Sequence, residues 1–320
     1  MTTITPHTLI LSHSLDYSCD FICRILNDNN IPFFRLNRDQ FHSVNILLEP
    51  AKPELTIQNG DFTVCIKEES LYSIFYRAPT FLRENKRYES IGDEISTTQW
   101  AAFLRSLVVF ENILWVNSPD ATYKAEIKSW QLKKAYEVGL NIPYTIVSNA
   151  PHLISSHIPS PKIAYKSIDT LYIQKKDSVG FLYTNFIDNE TLSEQARLVA
   201  PLSFQEALQP KNDLRVTVIG NEIFPFSIES DLGPIENDWR LQKNDLRYIP
   251  TSLPDSLVEK LLRLVELLNL SYCGIDLIER DNQFYFIEAN PTGEWSWLMR
   301  NTGIKLDQKI VSLLAGTNVQ

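Results

Sequence analysis

Residues 273–291, CGIDLIERDNQFYFIEANP, constrain this chain more than any other stretch. Two apolar runs flank Asp281-Asn282, a tight-turn dipeptide, so the segment reads as a β-hairpin. Folding it about residues 281–283 brings Asp276 on the first strand roughly level with Glu288 and Asn290 on the second. Side chains two apart share one face of a strand, so the Glu288 carboxylate and the Asn290 carbonyl point the same way. Hard oxygens gathered on one sheet face are what Mg²⁺ takes, above all when phosphate oxygens complete its shell. The same residues also read as a polar strand end with Asn290-Pro291 as a turn. The choice between the two depends on what else the chain brings to that face.

The 320 residues are 44% hydrophobic and 22% charged, a globular composition that divides into two or three compact units by length. A net charge of -9 argues against a nucleic-acid partner, which needs a dense Lys/Arg face. No segment approaches the roughly 20 apolar residues of a membrane span, and the short apolar run at the N-terminus lacks a preceding basic region, so the expectation is a soluble cytoplasmic protein with no membrane partner. Cys19, Cys23, Cys65 and Cys273 are scattered without CxxC spacing and read as free thiols.

The chain opens as β-α-β: HTLILSHSLD as a strand, DYSCDFICRILNDNN at helical spacing, then IPFFRLN. ELTIQ and FTVCIK flank an Asn59-Gly60-Asp61 hairpin signal, and LYSIFYRA follows as a strand. Residues 88–112 form a long amphipathic helix, and LWVNSP leads out of it. No GxGxxG follows the first strand, which speaks against a dinucleotide-binding fold. Ser118-Pro119 is a helix start, and the pattern predicts one helix running to Gly139. Strand KIAYK, the paired runs TLYIQ and GFLYTNF, strand DLRVTVIG and the helix PDSLVEKLLRLVELLNL complete an α/β (α+β) reading.

Lys128 lies on the helix after Ser118, Lys166 ends KIAYK, and Arg215 interrupts the apolar run DLRVTVIG. Each alone reads as a solvated charge. A strand Arg facing a cleft, however, holds phosphate bidentately. Taken in order, Lys128, Lys166, FQEAL, DLRVTVIG, GIDLI and FIEANPTGEW resemble the ATP-grasp superfamily over about 118–314. FYRAPTF, FQEALQPKNDLRVTVIGNEIF, DWR at 238–240 and EANPTGEWSWL carry the resemblance further, over nearly the whole chain, to the microviridin-type (graspetide) peptide macrocyclases. Ala78 departs from that group, which tends to place a second basic residue after the Arg of YR.

The resemblance implies an N-terminal α/β domain over 1–117 and a central ATP-grasp subdomain over 118–203 that covers the nucleotide and contacts a leader peptide. The C-terminal ATP-grasp subdomain, 204–320, would hold Mg²⁺ and the catalytic site. It implies ATP phosphates on Lys128 and Lys166, adenine on the segment Gln205, Glu206, Ala207 and Leu208, and Mg²⁺ on Asp276, Glu288 and Asn290. Arg215, Arg240 and Lys166 would serve the chemistry. The implied reaction activates a side-chain carboxylate of a ribosomal precursor peptide as an acyl phosphate, which a hydroxyl or amine of the same peptide attacks. Phosphoryl transfer needs positioning and charge neutralisation and no protein nucleophile. The partners implied are a leader-bearing precursor peptide, ATP and, as an assembly, a homodimer. Two other readings stand beside this one: a different carboxylate–amine ligase of the same chemistry, and a non-catalytic peptide- or nucleotide-binding module.

Overall fold

The computed structural model describes residues 2–60, 62–77, 90–168, 172–175, 178–181, 183–194, 197–300 and 302–319. The chain divides into two compact units.

The first unit comprises residues 1–123, 270–272 and 291–320. Its centre is a parallel sheet in the order Phe33–Asn37, Thr8–Ser12, Ser73–Tyr76, Leu114–Val116. The β-α-β opening is as expected, with the helix Tyr17–Asp28 between its first two strands in sequence. That helix forms because Cys19, Ile22, Ile25 and Leu26 recur at helical spacing and are buried, while the Asp16 carboxylate accepts the Cys19 N–H and caps its start. Leu9, Leu11, Ile74, Leu104 and Leu107 pack into one core, to which each fully buried aliphatic side chain contributes about 1.5–3 kcal/mol. The strands Glu54–Asn59 and Phe62–Lys67 pair antiparallel as the Asn59-Gly60 signal predicts. They are joined by Asn45–Glu49, a strand whose NILLE pattern was not read as one. The helix expected over 88–112 runs Ile91–Ser106 and continues as a 3₁₀ turn, Leu107–Val109; residues 78–89, with all of APTF, lie outside the described residues.

Within this unit the FYR and PTGEW motifs meet. The Arg77 guanidinium pairs with Glu294 and with Asp16 at 3.3 Å, donates to the Thr292 carbonyl, and stacks 4.7 Å from the centre of the buried Trp295 ring. Glu294 also accepts from the Ser18 hydroxyl at 2.6 Å and from the Trp295 and Ser296 N–H groups at 3.0 Å.

The second unit comprises residues 124–269 and 273–290. One antiparallel sheet has the order Asn185–Asp188, Lys162–Lys166, Leu202–Glu206, Thr145–Ser148. The other has the order Leu246–Pro250, Glu222–Ser230, Asn212–Ile219, Tyr272–Arg280, Gln283–Asn290. TLYIQ and GFLYTNF supply a separate two-stranded hairpin, Tyr172–Lys175 with Ser178–Phe181, whose side chains fall outside the description. The hairpin of opening interest turns at Asp281 and Asn282, both with positive φ (51° and 58°), as a two-residue primed turn requires.

The single helix expected over 119–139 is two: Pro119–Ala125 and Lys128–Glu137. Ile127 between them is extended, with φ -74° and ψ 100°. Nothing local forces the break. The Ala125 carbonyl, cut off from its place in a continuous helix, is satisfied by the Gln131 side-chain amide.

Candidate active site

All the candidate residues lie in the second unit. Arg215 sits on the central strand of the five-stranded sheet, 5% exposed, and donates to Asp276 Oδ1 on the neighbouring strand at 2.8 Å. Its path crosses Gly274, where a Cβ would lie 2.1 Å from Nη2 and 2.4 Å from Cζ. Glycine at 274 is therefore what lets the guanidinium lie against the backbone. Asp276 stands opposite Glu288, as the hairpin reading predicts. The register then slips between Asp276 and Leu277, leaving Ile287 bulged out of the ladder and lining the cleft.

Arg240 enters from the 3₁₀ segment Trp239–Asp245. Its Nε and Nη2 grip the two oxygens of buried Asp238 at 2.8 and 3.0 Å, and Nη1 reaches Glu288 Oε1 at 3.3 Å. Trp239 and Tyr183 flank it, with ring centres 5.6 and 6.0 Å away. Asn290 Nδ2 donates to the same Glu288 oxygen at 3.4 Å, placing 288 and 290 on one face. Lys166, 6% exposed, ends its strand facing this group. Lys128, the first residue of its helix, donates to the Ser167 carbonyl at 3.3 Å.

The electrostatics follow from burial and neighbours. Burial pulls the Lys166 ammonium down to about 8; Glu288 resists this, while Lys128 and Arg240 reinforce it. Burial alone would raise Glu288, but Arg240, Lys166 and Lys128 outweigh it and hold that carboxyl below the usual range. Asp276 goes the other way, raised by burial and by Glu288 against the pull of Arg215. Among the described residues no three His, Cys, Asp or Glu side chains gather as a metal-binding group; the hairpin offers two carboxylates and an amide. Those hard oxygens fit Mg²⁺ held partly by phosphate, and two facing carboxylates competing for charge are a pair that a divalent cation relieves.

A cleft opens here. Its walls include Lys166, Arg240, Asp276, Gln205, Glu206 and Leu208, so at least one candidate of each kind, phosphate, metal and adenine, faces the same space. Pro143, Ala164, Phe186 and Leu214 add apolar surface. Ala207 is half-buried, and it, Lys128, Arg215, Glu288 and Asn290 are not part of the wall. The Glu206 carboxylate is already used, accepting the Tyr144 N–H at 2.9 Å, and Gln205 donates to Thr145 Oγ1 at 3.0 Å. Both side chains thus brace the segment against the next strand.

Five residues escaped the sequence reading. Asp238 orients Arg240, and DWR carried that signal, since an Asp two before an Arg is a local acceptor for it. Lys211 and Asp213 form an ion pair on the cleft wall, where burial raises the Asp213 carboxyl despite the lysine. Gly274 and Gln131 gave no local signal.

Residues 202–314 match the family model of the RimK-like ATP-grasp domain. No curated protein matches the chain. Among solved structures, the chain is similar to a Chryseobacterium gregarium RiPP-associated ATP-grasp ligase in complex with ADP and a leader and core peptide. There the identity is 24% and the TM-score 0.79, over 99% of this chain and 97% of that one. It is similar to the macrocyclase MdnC of Microcystis aeruginosa MRC, bound with precursor peptide MdnA, at 23% identity and TM-score 0.80 over 99% and 100%. The macrocyclase MdnB from that organism gives 24% and 0.69 over 96% and 98%. The chain has the ATP-grasp fold.

Proposed function

We propose that this ATP-grasp chain is a ligase that uses ATP to activate Asp or Glu side chains of a ribosomal precursor peptide and closes macrocyclic esters or amides within it. The observation that carries the reading is the shared cleft: Lys166, Arg240 and Asp276 line the same space as Gln205, Glu206 and Leu208, with Glu288 and Arg215 held to them by ion pairs. Lys128 and Lys166 hold the nucleotide phosphates, and Arg215 and Arg240 stabilise the phosphoryl group in transfer. Asp276, Glu288 and Asn290 would hold Mg²⁺, which neutralises phosphate charge when bound. The peptide carboxylate takes the terminal phosphoryl group of ATP, releasing ADP. A hydroxyl or amine of the same peptide then attacks the acyl carbon, phosphate leaves, and the attacking atom loses its proton. The similar ligases bound to a leader and core peptide and to a precursor peptide support the peptide substrate.

No described helix is long and apolar enough to cross a membrane, and the four cysteines are free thiols. Both suit work in the cytoplasm. The test incubates the purified protein with ATP, Mg²⁺ and a precursor peptide encoded beside its gene. Intramolecular closure removes one water per ring from the peptide mass. A mass gain from a second substrate would assign the chain to another carboxylate–amine ligase, and ATP binding without turnover of any adjacent peptide would assign it to the binding modules.

A further inference from the structure

Gln131 is buried, 2% exposed, on the inward face of the helix Lys128–Glu137. Its Nε2 donates to the Ala289 carbonyl at 2.7 Å, and its Oε1 accepts the Ala289 N–H at 2.9 Å. The other Nε2 hydrogen goes to the Ala125 carbonyl. The carboxamide therefore pairs both ways with the backbone of one residue, as a neighbouring strand would, and both of its donors are used. The placement is informative for two reasons. Gln283–Asn290 is an edge strand, so Ala289 has no strand on its outer side to bond. Ala289 is also the residue between Glu288 and Asn290.

Gln131 lies three residues after Lys128 on the same helix and spans the break at 126–127 that makes Lys128 a helix start. One side chain thus ties the Lys128 helix, the preceding helix end and the Glu288–Asn290 strand end together. We infer that Gln131 is a positioning residue that sets Lys128 and the pair Glu288 and Asn290 in register for a metal–nucleotide ligand. The inference rests on the function proposed above. Residues that orient metal ligands from behind are worth about 10- to 100-fold in metal affinity when lost.

The test compares wild type with Gln131→Glu, which keeps the acceptor and loses both donors, and Gln131→Leu, which loses all three bonds. Asn141→Ala is the control, because Asn141 ties the same edge further along, donating from its side chain to the Phe284 carbonyl at 3.2 Å. Calorimetry of ADP binding with Mg²⁺ and the Mg²⁺ concentration for half-maximal turnover are the readouts. The expected result is binding of Mg²⁺–ADP weakened about tenfold or more in both Gln131 variants, with a matching rise in the Mg²⁺ requirement. Asn141→Ala lowers Tm and leaves both values at wild type. Gln131 variants that lower Tm alone, as the control does, overturn the inference. If neither variant folds, hydrogen exchange of the Ala289 amide in the wild-type protein decides: protection supports the pairing, and exchange at the rate of an exposed edge amide refutes it. Wild type that binds no nucleotide would instead sink the proposed function.

Discussion

Each unit sets an arginine between two carboxylates, and the two clusters are built to different ends. In the first unit Arg77 meets Asp16 and Glu294, covers Trp295, and Glu294 is further satisfied by a hydroxyl and two N–H groups. In the second, Arg240 meets Asp238 and Glu288 and Arg215 meets Asp276, but Lys166 is buried with no carboxylate within salt-bridge distance among the described residues. Burial pulls its ammonium down to about 8 despite Glu288 and Asp276. A closed cluster stabilises a fold. A cluster with a cation left over is prepared for an anion, and the cost of burying that charge is recovered when the anion arrives.

The largest expected effect comes from breaking the open cluster at its metal end. Glu288→Gln should cost on the order of 1,000-fold in turnover, the scale of a lost electrostatic stabiliser. The fold should survive with a lower Tm, because Arg240 and Lys166 lose the ionised carboxylate that they stabilise. Melting curves beside a turnover assay check both, and unchanged turnover would remove the metal assignment. Gly274→Ala comes next. The added methyl meets the far end of the Arg215 side chain, which can swing aside, so the fold should survive while turnover drops about 100-fold. A loss of stability with normal turnover per folded molecule would show that Arg215 serves structure alone.

The closed cluster should fail in the opposite way. Arg77→Met leaves Asp16 and Glu294 unpaired and should cost about 3 kcal/mol, at the low end for a buried pair because Glu294 is partly exposed. Denaturant titration measures it, and nucleotide affinity of the folded fraction should not change. The smallest effect is the pH response of Lys166. Its folded value lies below the ordinary 10.5, so below about 8 the buried ammonium is charged and available to phosphate. Above 8, nucleotide affinity should fall by up to about tenfold per pH unit, while the stability penalty of burying that charge is relieved as pH rises from about 8 towards 10.5. Lys166→Arg should flatten the binding profile in that window, and a profile equally steep in both proteins would assign the titration to another group.

What was legible in the sequence was what local pattern determines. Strand alternation and the Asp281-Asn282 turn set Asp276 opposite Glu288, and the interrupted apolar strands marked Lys166 and Arg215 before any coordinates were known. What stayed hidden depends on partners far along the chain. The break before Lys128 has no glycine or proline to announce it, because Gln131 and Ala289 supply the missing bonds from elsewhere. Gly274 matters through Arg215, 59 positions earlier in the chain by the numbering. Asn45–Glu49 escaped because its alternation is that of an exposed strand, with no residue in it fully buried.

The capping of the hairpin's outer edge also bears on how chains of this kind avoid one another. At Phe286 and Ala289 the outward backbone N–H groups are taken by the Asn141 carbonyl and the Gln131 side chain, and at Phe284 the carbonyl is taken by Asn141. An extended peptide cannot add to the sheet there by strand pairing. The opposite border of that sheet, Leu246–Pro250, is guarded by Arg247 and ends in proline, two devices that discourage edge-to-edge growth. The sheet that holds the candidate site is thereby shielded from strand pairing on both borders, so under the proposed function a strand-like peptide reaches it across its face.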